Sequence, residues 1–472
     1  MIGILQLEGN TRAAVFLLVA IAIAVCGAML ANKLSLGIAV ASVFAIIVFT
    51  FSFVSTEIAL YMLIFAMLLG PQLSVGGGDE IAAARGRGVD LRADDILIAT
   101  IGMSWFLRVA INKELGLFLR TPLNIPIAVY FIICIVATVH GYYLMRRLNP
   151  MVGFFFILKY FEYYLIYFMA VNHLREKEQI RRFLIAMLIV CFGVCVYAIS
   201  QIPYVERVSA PFEGEIGEPN TLGGYLVLMF SLVVSLLVTP KSIGKKPLLL
   251  VLLGLMLVSL AATLSRGSWL ALPLVILVLI ALSRNRLLIV IPLVIALAFS
   301  PYLLPKSVTD RVGYTFNQPE NEEQLKIGAV KVDSSTSARL ISWKVILTQD
   351  FVHHPIIGWG VTGHSFVDAQ IPRILIETGL LGLTAFFVLI GLLFRHGLLA
   401  LRVSRDPLFE AIAIGYIAGL VGLLVHSVGC NTFILVRIME PFWFLTALII
   451  MIPRFESAEL PEGAGGRQPR RD

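Results

Sequence analysis

Between Leu304 and Gly382 lies a long polar interval in an otherwise apolar chain, and it gathers groups that can bind anions and move protons: Arg311, Arg339, His353, His354, His364, Asp368, Arg373 and Glu377. Arg207 and Arg266 stand at two further boundaries between apolar runs and polar segments. A guanidinium fork binds two phosphate oxygens at once and keeps its charge when partly desolvated, so Arg207, Arg266, Arg339 and Arg373 read as a pyrophosphate-binding set at a membrane boundary. Asp368 and His364 are the best-placed general bases, either able to take the proton of a sugar hydroxyl as it attacks an anomeric carbon. The arginines would stabilise charge on the departing pyrophosphate. A plainer role for Asp368, and for Asn220 or Thr221, is capping a helix N-terminus. Such a terminus opening beside Arg207 also attracts phosphate, which makes Glu218 and Asn220 supporting candidates. Lys159 and Glu162 lie three residues apart inside an apolar run, on one helix face, and read either as a structural ion pair or as lining of a substrate channel. No His-x-x-Glu-His, calcium-loop or paired-cysteine spacing occurs, so no metal and no cofactor is expected.

These residues need elements to hold them, and composition says which. Of 472 residues 58% are hydrophobic and 14% charged, with mean hydropathy +0.90. Apolar runs of about 17 to 25 residues, the length that crosses a bilayer, recur throughout. They are continuous and do not alternate, so the chain reads as an all-α polytopic membrane protein of about 12–14 transmembrane helices, and not as a barrel. The runs fall near 13–31, 34–53, 55–70, 93–111, 124–144, 151–172, 181–202, 220–239, 247–264, 267–283, 286–304, 373–394, 407–428 and 433–452. Residues 1–304 and 373–455 thus hold the helices, 305–372 form one long loop, and the Gly, Pro and charge-rich 456–472 form a disordered tail. Lys and Arg recur at every second short loop, which places both termini in the cytoplasm and 305–372 on the outer face. The net charge of +7 reflects those loops and calls for no nucleic acid. Cys26, Cys134, Cys191, Cys195 and Cys430 all lie in or beside apolar runs, where they read as packing residues. The segment "GGGDEIAAARGRGVDLRADD" lacks the spacing of a nucleotide loop and reads as a flexible connection.

The run "SARLISWKVILTQDFVHHPIIGWG", followed by "VDAQIPRILIETGLLG", resembles the signature of the O-antigen polymerase and ligase family of bacterial membrane proteins, through Arg339, Trp343, His354, Pro355, Gly358, Gly360, Asp368, Glu377, Gly379 and Gly382. "LSRGSWLAL" and "GEPNTLGGYL" resemble two further family markers, in the expected order, so that the resemblance spans Arg207 to Gly382. It implies a multi-helix lipid-carrier glycosyltransferase fold (GT-C-like) and a metal-independent enzyme of the bacterial inner membrane. The donor would be an undecaprenyl-pyrophosphate-linked oligosaccharide, used on the outer face. A chain-length regulator and a flippase would be its partners. Trp343 and Glu377 would support the substrate site. Family ligases carry a His-Asn pair nine residues before the motif glutamate, where this sequence has Asp368, and that departure leans toward a repeat-unit polymerase. His364 could still supply the ligase base. A flippase or transporter of lipid-linked oligosaccharide is the reading from another class, since intramembrane charges suit transport too.

Overall fold

The computed structural model describes residues 47–53, 55–70, 72–73, 91–111, 119–145, 150–211, 217–299, 302, 305–316, 325–327, 330–331, 334–364 and 367–458. The span expected at 13–31, most of that at 34–53, most of the Gly-rich segment and the tail beyond 458 lie outside them.

The protein is an all-α multi-pass membrane protein. Its helices are α1 (Thr56–Leu69), α2 (Ala93–Ile111), α3 (Asn124–Met145), α4 (Pro150–His173), α5 (Lys177–Gln201), α6 (Pro219–Val238), α7 (Lys246–Ala262), α8 (Arg266–Leu282), α9 (Leu287–Ala298), α10 (Lys306–Phe316), α11 (Ser334–Val345), α12 (Gln370–Val403), α13 (Pro407–His426) and α14 (Val436–Ala458). Among the described residues seven helices, namely α3 to α6 and α12 to α14, are long and apolar enough to cross a bilayer; α1, α2, α7, α8 and α9 carry shorter apolar stretches. Two minimal antiparallel ladders pair β1 (Gln72–Leu73) with β2 (Leu91–Arg92) and β3 (Lys326–Ile327) with β4 (Val330–Lys331). The long polar interval is therefore no bare loop, since α10 and α11 form within it.

In α6, 94% of the most apolar window is buried, which makes it the central helix. It packs against α13 and α8. Small residues permit the approach: a Cβ on Gly415 would lie 2.8 Å from the Leu232 Cα, and one on Gly422 2.6 Å from Val227. Ser231 and Ser235 of α6 donate across the seam to the carbonyls of Gly415 (2.8 Å) and Ala411 (2.7 Å). Arg437, fully buried at the start of α14, donates to the carbonyls of Leu68, Pro211 and Gly70 and so ties α14 to the end of α1. α14 runs through Ala458, into the segment read as tail, because Glu456 accepts from the amides of Arg405 and Asp406 at 3.1 Å each. The ends of α5, α7 and α13 and the starts of α6, α8, α12 and α14 collect at one end of the bundle, and the candidate residues gather there.

Candidate functional site

The first part of the site is the turn between α7 and α8. Leu264 adopts a left-handed conformation (φ 49°), which an L-residue accepts only under constraint. The constraint is visible: the Ser265 amide donates to Thr263 Oγ1 (3.2 Å), the Val208 amide to the Ala262 carbonyl (3.2 Å), and Arg207 Nε to the Thr263 carbonyl (3.0 Å). The turn starts α8 at Arg266, its first amides facing the same end of the bundle as those of α6. Ser265 Oγ donates to Asn220 Oδ1 (2.9 Å), and Ser268 Oγ donates to Ser265 Oγ (2.9 Å), so both helix starts are held together by hydroxyls. Burial holds the Arg207 guanidinium below its ordinary range, the neighbouring cations of Arg311 and Arg266 push it the same way, and the Glu206 carboxylate opposes them. Three guanidiniums, from a loop, a helix start and the helix α10, thus crowd one place. Beside them a cavity of about 670 Å³ opens between α10 and the ends of α5 and α7, lined by Val205, Glu206, Val208, Leu264, Arg311 and Tyr314 among others.

The second part explains the glycines of the "GWG" and "ETG" motifs. α12 is broken at Gly379 (φ 64°, ψ −164°), a region open in practice to glycine alone. The break strips helix bonds from its flanks, and the segment 355–360 supplies replacements. The amides of Trp359 and Gly360 donate to the carbonyls of Ile376 and Glu377 (2.8 Å each), and those of Leu380 and Leu381 donate to Pro355 (2.8 Å) and Ile356 (3.2 Å). The two backbones run so close that a Cβ on Gly379 would fall 2.3 Å from the Ile356 oxygen. This docking carries side chains with it. Glu377 Oε1 accepts from the Thr362 amide (3.1 Å) and from Arg373 Nε (3.1 Å), both charges being buried and Arg373 lying 5.7 Å from the Phe156 ring centre.

The third part holds the two candidate bases. Asp368 Oδ2 accepts from Arg339 Nη2 (2.8 Å) and Nε (3.3 Å), joining α11 to the lead-in of α12 in a half-buried ion pair. His364 Nε2 lies 3.2 Å from Asp350 Oδ2, with 16% of the His364 side chain exposed. Asp350 ends a π-helical turn (Ile346–Asp350) that continues α11, and its carbonyl accepts from the Trp359 indole at 3.1 Å. Trp359 stands between the rings of His354 (4.9 Å) and His364 (5.8 Å). His354 is held below the usual histidine range by desolvation and by the neighbouring His140 and His353.

The turn between α13 and α14 closes the site from below. Asn431 Nδ2 donates to the Val367 carbonyl (2.8 Å), the Gln370 amide to the Ser427 carbonyl (3.1 Å) and the Phe433 amide to Gln370 Oε1 (2.9 Å). Within that turn burial pushes the Cys430 thiol up to about 12; Asp368 and Glu218 add to the shift, while Arg339 and the Asn431 amide oppose it. Asp368, Arg339 and Glu218, from three separate stretches of sequence, thus stand near the Cys430 thiol.

Residues 251–401 match the family model described as O-antigen ligase. The match covers about a third of the chain and supports the resemblance to the O-antigen polymerase and ligase family. This family's enzymes are glycosyltransferase-like ligases and polymerases, and lipid-linked oligosaccharide and membrane lipid are the substrates the family implies. Comparison with curated proteins finds no match. The matched stretch runs from within α7 to near the end of α12, so it contains Arg266, Arg339, Trp343, His364, Asp368, Arg373 and Glu377. Arg207, Glu218 and Asn220 reach the same region from outside the matched stretch.

The structure does not treat the sequence candidates alike. Arg207 and Asn220 meet the turn that starts α8 at Arg266, and Arg339, Asp368 and Glu218 stand near Cys430. His364 stands on the neighbouring side, against Asp350. Arg373 and Glu377 neutralise each other within the docked segment. Trp343 is half-buried on α11, its indole nitrogen without a hydrogen-bond partner among the described residues. Lys159 and Glu162 do pair (3.3 Å), and Lys159 is also bonded to Asp95 of α2 in a buried triad of α2 and α4. Sequence reasoning missed Asp95, Asp350, Arg437 and His426. His426 is 1% exposed at the end of α13, its Nδ1 bonded to Thr432 Oγ1 (2.8 Å) and its ring against Gly224 and Gly267. A charged or imidazole side chain next to an apolar run was the signal available for Asp95, Arg437 and His426; Asp350, inside the polar interval, offered none.

Proposed function

We propose that the protein is a polysaccharide repeat-unit polymerase: a glycosyltransferase that moves a glycan from an undecaprenyl-pyrophosphate donor to a sugar hydroxyl on the outer face of the bacterial inner membrane, without a metal. The observation that carries this reading is the placement of Arg207, bonded to the Thr263 carbonyl, and of Arg311, in the wall of the adjoining cavity, beside Arg266 at the uncapped start of α8. Neighbouring guanidiniums are stabilised by a ligand of high negative charge, and a diphosphate beside a helix N-terminus supplies it. The adjoining 670 Å³ cavity leaves room for the groups that the diphosphate links. Arg339 reaches the same region from α11 and completes the clamp. Arg373, tied to Glu377, keeps the docked backbone in place, and Trp343, Glu218 and Asn220 support the site. Lys159 and Glu162 hold helices together away from it.

In the reaction the acceptor hydroxyl oxygen forms a bond to the anomeric carbon while the bond from that carbon to the pyrophosphate oxygen breaks. The electron pair leaves with undecaprenyl pyrophosphate, the arginines neutralise it, and a base takes the hydroxyl proton. His364 suits that last task better than Asp368, whose carboxylate is engaged by Arg339.

The matched family description favours a ligase as second reading, in which the acceptor is a different glycolipid. Incubating purified protein with lipid-pyrophosphate-linked oligosaccharide and a chelator, then sizing the products, separates the two. A ladder supports the polymerase, a single transfer to another acceptor supports the ligase, and unchanged substrate refutes both.

A further inference from the structure

We infer that Asp350 is a positioning residue for proton transfer: its carboxylate fixes the His364 imidazole so that His364 can take the proton of the acceptor hydroxyl. The inference deepens the transferase reading and rests on it for the identity of the proton donor. Three observations carry it. The carboxylate oxygen Oδ2 lies 3.2 Å from His364 Nε2, within reach of a hydrogen bond that locks ring orientation and tautomer. The positive charge formed when the ring takes up the proton is stabilised beside the carboxylate.

The carboxylate is itself held. Asp350 is the last residue of a π-helical turn that widens the end of α11, and its carbonyl receives the Trp359 indole at 3.1 Å. An interrupted helix of this kind is rare and tends to mark function, because it redirects side chains that a regular helix would send elsewhere. Trp359 in turn is fixed by its amide to Ile376 at the break in α12 and packs 5.8 Å from the His364 ring. Base, carboxylate and indole are thus one unit attached to the docked glycine segment. That arrangement gives the "GWG" motif a consequence in chemistry: it sets where the base stands.

The test uses full-length protein in lipid nanodiscs and undecaprenyl-pyrophosphate-linked oligosaccharide extracted from the producing cells. Asp350→Asn is expected to lower kcat about a hundredfold or more with KM changed less than about threefold, and formate should restore part of the rate to Asp350→Ala. In a His364→Ala background Asp350→Asn should cost less than about threefold, since the two residues act as a unit. Wild-type kcat in Asp350→Asn, or losses that multiply in the double variant, would overturn the inference. A readout independent of transfer is the carbethoxylation of His364 by diethyl pyrocarbonate, located by mass spectrometry. Loss of the carboxylate should slow it several-fold at His364 and leave exposed His353 unchanged. Equal rates at His364 in both proteins overturn the pairing even if transfer is impaired. A slowed rate in a protein that transfers nothing keeps the pair and refutes the transferase reading instead.

Discussion

Gly379→Ala tests the docked segment most directly. At φ 64° and ψ −164° any side chain strains the backbone by roughly 1–3 kcal/mol. The new Cβ would also meet backbone atoms that cannot turn aside: the Ile356 oxygen at 2.3 Å, its carbonyl carbon at 2.4 Å and the Ile357 nitrogen at 2.7 Å. To relieve that contact the two segments must part by about 1 Å, which breaks or stretches the bonds from Trp359, Gly360, Leu380 and Leu381, each worth about 1 kcal/mol. The sum is roughly 3–6 kcal/mol of docking free energy, or a hundredfold and more in the undocked population at about 1.4 kcal/mol per decade. Proteolysis of a segment that opens and recloses quickly follows that population. Cleavage within 334–364 by a protease of broad specificity should therefore accelerate at least about a hundredfold, and transfer activity should fall with it. Gly391→Ala is the control, since its Cβ meets nothing within 4 Å on the same helix; it should match wild type. Cleavage of Gly379→Ala within threefold of wild type would refute the account of why the motif needs glycine.

Other perturbations probe the charges. Glu377→Ala leaves the buried Arg373 guanidinium without its carboxylate and should destabilise by about 3–5 kcal/mol, seen as a lower melting temperature in detergent, while the double change Arg373→Met with Glu377→Leu should recover most of that loss. Arg339→Ala should abolish glycan transfer while membrane insertion and chromatographic behaviour stay those of wild type, and activity near wild type would remove Arg339 from the clamp. Arg207→Ala should raise KM for the lipid-pyrophosphate donor about tenfold with less effect on kcat, measured by initial rates at low donor. Cys430, with its thiol pushed up to about 12, carries almost no thiolate below pH 9, and maleimide labelling of folded protein should stay slow from pH 7 to 9 and become fast only on denaturation. Labelling of folded protein that is already fast at pH 7 and levels off towards pH 9 would show an ordinary exposed thiol instead.

What the sequence discloses and what it hides have a common physical cause. Helix positions are local properties: twenty consecutive apolar residues must span or be buried, so the runs at 124–144, 151–172 and 407–428 match α3, α4 and α13 within a few residues. Arginines at the boundaries of such runs are conspicuous for the same reason, because a cation beside lipid needs a partner. Partnership, however, is set by the fold. Lys159 and Glu162 announce each other at helical spacing, whereas Asp95, some sixty residues earlier, reaches Lys159 only through the packing of α2 on α4. Arg437 bonds three carbonyls more than two hundred residues away in sequence, and carbonyls carry no sequence signature at all. Asp350 is hidden twice, since its value depends on a π-helical turn that no periodicity predicts and on a histidine fourteen positions on. The glycines behave in the opposite way. "GWG" and "ETG" are visible as motifs, but their reason is the contact between them, and the separation of nineteen residues from Gly360 to Gly379 means only that one turn of chain must return to the break in α12. A residue type chosen for its absence of a side chain thus points to a backbone contact, and that contact is what brings His364, Asp350 and Glu377 into one unit.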